Sequence, residues 1–320
     1  MTRGSPAVVE LIIPVYNEAK VLETHLSRII DLAKVIEPRY RLAVLVVDDG
    51  STDATPALLA RFCDNEPRAR YLSFTRNFGK EAAIQAGLEH SAADAVILMD
   101  SDLQHPPELV PLMVSQWEAG NMVVEAVKAH RGPEGHVDRL LAGAFYRMMH
   151  LLAGLDLYGQ SDYKLLDRCV IDQYLQMQER GRFFRGLVQW MNFPSARVPF
   201  IVAERPGGTS SWNWLKLLRY ALRNITAFTA VPLQLVSWCG LFSLLVGVVF
   251  GTIALYQKWH GEALDGFTTV ILLLIFFSGT LMLSLGVIGH YLACIYEEIK
   301  QRPHYVLRPR DAARPPDRPA

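Results

Sequence analysis

VILMDSDLQHPPEL, Val96 to Leu109, is the stretch on which the fold turns. Apolar residues that suit a buried strand run straight into Asp100 and Asp102, two carboxylates at alternate positions, and then into a loop opened by Pro106 and Pro107. The same construction stands three times upstream: VVELIIPVY leads into PVYNE, RLAVLVVDDG into DDGSTD, and ARYLSFT into TRNFGK. Between these runs lie the helical patterns AKVLETHLSRIIDLAKVI, TPALLARFCD and KEAAIQAGLEHS. Apolar strands alternating with amphipathic helices predict an α/β fold with a mostly parallel sheet and helices on both faces. In such sheets ligands bind beyond the carboxyl ends of the strands. All four polar loops are therefore expected on one edge.

That edge is acidic. No GxGxxG follows the first strand and no GxxxxGK[ST] occurs anywhere in the chain, so neither familiar glycine-rich phosphate cradle is present. Asp48, Asp49, Asp100 and Asp102 gathered in one cleft would repel one another unless a cation joined them. Clustered carboxylate oxygens suit hard ions, so Mg²⁺ or Mn²⁺ bridging to a diphosphate is the economical expectation. Each motif by itself has a duller explanation: DSD as a solvated turn, and DDGST as the lead-in to a helix capped by Ser51 or Thr52. Four polar loops falling in order after four strands are harder to explain that way.

The bulk numbers narrow the setting. Of 320 residues, 51% are hydrophobic, and 32 basic residues balance 32 acidic ones, so nothing global calls for a nucleic-acid partner. Four scattered cysteines without a CxxC pair disfavour a zinc site or a disulfide framework. The N-terminal apolar run is broken by Pro14, Asn17 and Glu18 and reads as a strand rather than a signal peptide, which puts the catalytic part in the cytoplasm. No charged residue occurs from Val231 to Tyr256, nor from Phe267 to Ile288, and each run exceeds the ~20 residues that cross a bilayer. Lys216, Arg219 and Arg223 precede the first run, and Lys300, Arg302, Arg308 and Arg310 follow the second. The positive-inside rule then places both flanks and both termini in the cytoplasm. WNWLKLLRYALRNITAF, just upstream, has the spacing of an amphipathic helix lying in the headgroup layer. The tail beyond Arg308 is polar and Pro-rich, as disordered segments are.

The ordered set PVYNE, VVDDGSTD, RNFGKEAA, MDSDLQHPPE and ERPGGTS, followed by a two-helix membrane hairpin, resembles glycosyltransferase family 2. Within it the chain is similar to the polyprenyl-phosphate glycosyltransferases, from about Val8 to Arg308. The resemblance implies a nucleotide-sugar-binding glycosyltransferase A-type domain over 1–204, a juxtamembrane amphipathic helix over 205–230, two transmembrane helices over 231–296 and a cytoplasmic tail over 297–320. It implies that Pro14, Tyr16, Asn17, Glu18, Asp48, Asp49, Ser51 and Asp100 bind the nucleotide, and that Asp100 and Asp102 hold the metal and diphosphate. Gln104 would lie near the sugar or the acceptor phosphate.

An anionic acceptor approaching an anionic donor needs cations to offset the repulsion. Lys128, Arg131 and Arg139 in VKAHRGPEGHVDRL, with Arg205 and Ser210 in ERPGGTSSWN, are the expected acceptor-phosphate ligands. Many relatives carry Lys or Arg after that serine, whereas this chain has Ser211. Asp162 in GQSDYKLLDR matches a family aspartate near the acceptor. A phosphate monoester is already largely ionised at pH 7, so Asp162 is expected to orient rather than to act as an obligate base. RFFRGLVQW resembles a family segment bordering the site.

The function these readings imply is inverting transfer of one hexose, most simply glucose from UDP-glucose, to undecaprenyl phosphate at the cytoplasmic face of a cell inner membrane. GDP-mannose, UDP-N-acetylhexosamine and a formylated aminoarabinose nucleotide are the rival donors. A lipid-phosphate-binding membrane subunit without catalysis is the rival class. The family also implies a homo-oligomer packed through the membrane helices, where Gly247, Gly251 and Gly286 would allow close approach.

Overall fold

The computed structural model describes residues 6–37, 39–102, 105–130, 160–177, 179–201, 231–260 and 267–309. The chain divides into two compact units, Met1–Ser211 together with Arg302–Ala320, and Trp212–Gln301. In the first, strands β1 (Val8–Val15), β2 (Arg41–Asp48), β3 (Ala69–Ser73), β4 (Ala95–Leu98), β5 (Val123–His130), β6 (Gln160–Asp167) and β7 (Ser195–Ile201) form one sheet in the order β3-β2-β1-β4-β6-β5-β7. β1 pairs in parallel with both β2 and β4, and β2 with β3. These are the four strands whose polar loops drew attention in the sequence, and parallel pairing brings their carboxyl ends to one edge. β6 runs antiparallel between β4 and β5, and β5 pairs in parallel with β7. The sheet is therefore mixed but mostly parallel, as expected.

Among the described residues the α-helices of this unit are α1 (Leu22–Ala33), α2 (Thr55–Asn65), α3 (Lys80–Glu89), α4 (Val110–Glu118), α5 (Arg168–Gln176) and α6 (Phe184–Trp190). Strand alternation assigns the two faces of β1. Val9, Leu11, Ile13 and Val15 join Leu22, Leu26, Ile29 and Ile30 of α1 in the main core. Each such side chain, removed from water, contributes roughly 1.5–3 kcal/mol. On the opposite face Ile12 meets α3 so closely that a Cβ on Gly87 would lie 2.4 Å from the Ile12 Cγ2. Glu10 shares that face; it is buried, and its carboxylate is held by Arg70 at 2.9 Å. A carboxylate inside a strand requires such a partner.

The second unit contains two long helices, α7 (Val231–Trp259) and α8 (Phe267–Ile299). Their apolar windows, Leu233–Ile253 and Leu273–Ile299, have mean hydropathies of 2.1 and 1.8 and are almost wholly unburied. Trp238 is 70% exposed and Leu283 63%. Helices this apolar and this bare in a single chain are suited to lipid. Gly247 packs within the pair, where an added Cβ would stand 3.1 Å from Phe277 Cζ, whereas a Cβ added at Gly251 or Gly286 would meet no other described group within 4 Å.

Candidate active site

The loops after β1 and β2 are tied to each other. The Asn17 amide donates to Ser51 Oγ at 2.8 Å, and the Thr52 amide donates to Asn17 Oδ1 at 2.9 Å. Asn17 adopts φ 54°, a left-handed conformation that Asn tolerates better than most residues. The Glu18 amide donates to Thr55 Oγ1 and the Ala19 amide to Asp53 Oδ2. Ser51 therefore does not cap α2; the Asp53 carboxylate accepts from the Thr55 amide at the start of that helix, and the Ser51 hydroxyl links two site loops.

The buried acids Asp48 and Asp49 shape the turn. Asp48 Oδ1 accepts from the Ser51 amide at 2.9 Å, while its Oδ2 has no hydrogen-bond partner among the described residues. Asp49 reaches across to the loop after β3 and accepts from the Phe78 amide at 2.7 Å and the Gly79 amide at 2.9 Å. Burial raises the Asp49 carboxyl above its ordinary range, with those two amides opposing. Gly50 between them has φ +70°, and a Cβ there would fall 2.2 Å from the Arg76 carbonyl carbon. Only glycine fits this crossing of two backbones.

The loop after β4 completes the edge. Ser101 Oγ donates to Glu18 Oε2 at 2.5 Å, and Ser101 O is bonded by His25 Nδ1 at 2.8 Å. Burial raises the Glu18 carboxyl, and the nearby negative charges of Asp102 and Asp100 add to that effect. Asp102 is exposed. The Asp100 amide donates to His105 Nδ1 at 3.1 Å, which leaves that ring nitrogen as an acceptor. Burial lowers the His105 pKa, and the ring stacks on Tyr163 at 5.0 Å.

Next to the acids lies a chain of alternating charges. Lys80 Nζ lies 2.5 Å from Asp100 Oδ1 and 2.8 Å from Asp162 Oδ2. Arg185 grips the same aspartate with two bonds, Nε to Oδ1 at 2.6 Å and Nη2 to Oδ2 at 2.9 Å. Burial alone would raise the Asp162 carboxyl, but Arg185 and Lys80 outweigh it and hold the group well below the usual carboxylate range. Asp162 is thus a fixed anion with little basicity. It comes from β6, Lys80 from the start of α3 and Arg185 from α6, so three elements distant in sequence meet here.

Of the residues singled out in the sequence, Asn17, Glu18, Asp48, Asp49 and Ser51 form one connected network, and Lys80 joins Asp100 to Asp162. Pro14 lies within β1 beside Val47, and Tyr16 stands 44% exposed at its end. Lys128 is in β5, with its side chain outside the described residues, as are Gln104, Arg131, Arg139, Arg205 and Ser210 and the amphipathic segment 205–230. Sequence reasoning did not assign Lys80, Arg185, Ser101 or His105 to the site. Lys80 and Arg185 both stand inside quoted motifs, RNFGKEAA and RFFRGL, but nothing local in either motif points to Asp162.

A divalent cation fits the donor set. The charges of Asp102 and Asp100 add to the cost of ionising Glu18, and an ammonium already sits on Asp100. Among the described residues no three His, Cys, Asp or Glu side chains form a ready metal cage. Mg²⁺-type sites commonly use one or two carboxylates and take their other oxygens from substrate phosphates and water.

Residues 10–175 match the glycosyl transferase family 2 profile. The SfII prophage-derived bactoprenol glucosyl transferase of Shigella flexneri is 32% identical over 94% of this chain and 97% of its own. The uncharacterised glycosyltransferase YkcC of Bacillus subtilis is 34% identical over 93% of this chain and 92% of its own. Among solved structures, glucosyl-3-phosphoglycerate synthase of Mycobacterium tuberculosis, in complex with Mn²⁺, UDP and glucosyl-3-phosphoglycerate, aligns with 22% identity and a TM-score of 0.46 over 69% of this chain and 78% of its own. With half the chain matching the family profile and relatives above 30% identity along nearly its full length, this protein belongs to glycosyltransferase family 2.

Proposed function

We propose that the protein transfers one glucose from UDP-glucose, with inversion, to undecaprenyl phosphate at the cytoplasmic face of the membrane. The observation that carries this reading is the end-to-end similarity, membrane helices included, to bactoprenol glucosyl transferases. In the reaction an oxygen of the lipid phosphate forms a bond to the anomeric carbon, the bond from that carbon to the diphosphate oxygen breaks, and UDP leaves with the electron pair. Because the phosphate monoester is already ionised near neutrality, no strong base is needed. The ionised Asp162, clamped by Arg185 and Lys80, orients the cationic groups around the incoming phosphate instead of accepting a proton. Catalysis is then chiefly alignment and charge stabilisation.

The tied loops after β1 and β2, with Asn17, Glu18, Asp48, Asp49 and Ser51, would bind the nucleotide alongside Pro14 and Tyr16. Asp100 and Asp102 would hold Mg²⁺ or Mn²⁺, which when bound neutralises diphosphate oxygens. Lys128, Arg131, Arg139, Arg205 and Ser210 would receive the acceptor phosphate, with Gln104 beside the sugar. α7 and α8 would span the bilayer with both flanks cytoplasmic, and copies would associate through them.

The test is transfer of labelled glucose to undecaprenyl phosphate in vesicles, run beside GDP-mannose, UDP-N-acetylhexosamine and a formylated aminoarabinose nucleotide. Wild type is expected to label the lipid from UDP-glucose and Asp102→Asn to lose at least about a hundredfold in rate. Labelling from another nucleotide would move the donor assignment. Equal background from wild type and variant with every donor would overturn the transferase reading.

A further inference from the structure

Three residues after α8 ends at Ile299, the chain joins the globular unit at Arg302. From Tyr305 to Arg308 it lies against the end of β3, the edge strand of the sheet. The Thr75 amide donates to Val306 O at 2.9 Å, the Arg308 amide donates to Ser73 O at 2.9 Å, and Leu307 makes an antiparallel bridge with Phe74. The Tyr305 ring stacks on Phe74 at 4.9 Å with 16° between planes, and its hydroxyl donates to the Glu89 carboxylate. An edge strand presents unpaired backbone groups, and this strap satisfies them where the strand turns into the site.

Arg308 extends the contact into the donor loops. Its Nε donates to Phe74 O at 3.2 Å and its Nη2 to Ser51 O at 3.4 Å. Ser51 is the residue whose hydroxyl holds the Asn17 amide and whose own amide is held by Asp48. Phe74 donates its amide to Asp48 O at 2.9 Å. One guanidinium therefore bridges the carbonyls of two loops that Asp49 and Gly50 already press together.

We propose that this strap is a working part of the donor site, with Arg308 as a positioning residue that fixes the Asp49–Ser51 turn in the shape that receives a nucleoside diphosphate. The inference rests on the donor reading given under Proposed function. It has the membrane hairpin followed directly in the chain by a segment on which nucleotide affinity depends.

The experiment is calorimetric titration of the purified full-length chain in detergent with UDP plus MnCl₂, alongside donor KM and kcat in the transfer assay. Arg308→Ala is expected to weaken UDP by about tenfold or more and to raise donor KM in step, with kcat changed less than about threefold. Tyr305→Ala, which loosens the strap away from Ser51, is expected to move affinity the same way by a smaller factor. Arg308→Lys, able to reach one carbonyl, should recover part of the loss. Removal of residues 311–320 should leave binding at the wild-type value. Should Arg308→Ala lower the melting temperature, the comparison passes to Arg308→Lys and Arg308→Gln, which retain bulk and donors. UDP binding by all strap variants at wild-type affinity would overturn the inference while leaving the donor reading intact. A wild-type protein that binds neither UDP nor GDP would overturn both.

Discussion

Glu81 offers a quantitative test of how the site is supported. It follows Lys80 in the first turn of α3, and its Oε2 accepts from the Phe184 amide at 3.0 Å, anchoring the start of the helix that carries Arg185. Burial, with the charge of Asp162 adding, pushes its carboxyl up to about 7 against the Phe184 amide, Arg185 and Lys80, which pull it down; its ordinary value is 4.5. Between those values the folded protein keeps a proton that the unfolded chain has released. Its contribution to stability is therefore complete below the lower value and is lost as pH rises through the upper one. A gap of about 2.5 pKa units at about 1.4 kcal/mol per unit sets the loss near 3 kcal/mol by pH 8. Glu81→Gln keeps an oxygen for the Phe184 amide and has no charge to desolvate. Melting curves of wild type and variant from pH 4.5 to 8.5 should start together and separate by roughly 5–10 °C at the alkaline end, the variant being the more stable, for a unit of about this size. Parallel curves across that range would refute the buried, protonated Glu81.

Lys164, 0% exposed on β6, pairs with Glu125 on β5, so Lys164→Met should cost about 3–5 kcal/mol by chemical denaturation, and adding Glu125→Leu should recover most of it. Asp162→Asn leaves Lys80 and Arg185 facing a neutral amide; transfer should fall by about a hundredfold through misplacement of those cations, while UDP affinity measured by calorimetry changes little. Gly50→Ala forces a Cβ onto the Arg76 backbone and should lower stability by about 1–3 kcal/mol and weaken UDP binding in the same titration.

The parallel half of the sheet was legible because its rules are local. β1, β2 and β4 are buried on both faces and read as apolar runs, broken in β1 only by Glu10, and each leads into polar residues whose chemistry makes sense only when gathered. β6 was not legible, because QSDYKLLD places a lysine where the pattern of a central strand asks for an apolar residue. That lysine is tolerated because Glu125 meets it from β5, 39 residues earlier in the chain, and no window of sequence contains both. Asp162 sits two residues before it on the same strand, and its partners Lys80 and Arg185 are likewise remote. The motifs therefore marked where the acids are, and only tertiary pairing shows which cations answer them.

Arg308 shows the same limit from the other side. Counted with Lys300, Arg302 and Arg310, it is one positive charge flanking an apolar helix, and the positive-inside rule treats such charges as interchangeable. In the structure its neighbours are backbone carbonyls of Phe74 and Ser51, while Lys300 lies over the Tyr296 ring at 4.1 Å and pairs with Glu297. What separates the two is Tyr305. An aromatic three residues ahead of Arg308 stacks on Phe74 and sets the register in which the strap meets β3, and that register delivers the guanidinium to Ser51. A charge rule counts residues within a window and has no term for register. The aromatic before the arginine, together with an edge strand needing a partner, is the feature from which such a strap can be sought in a sequence.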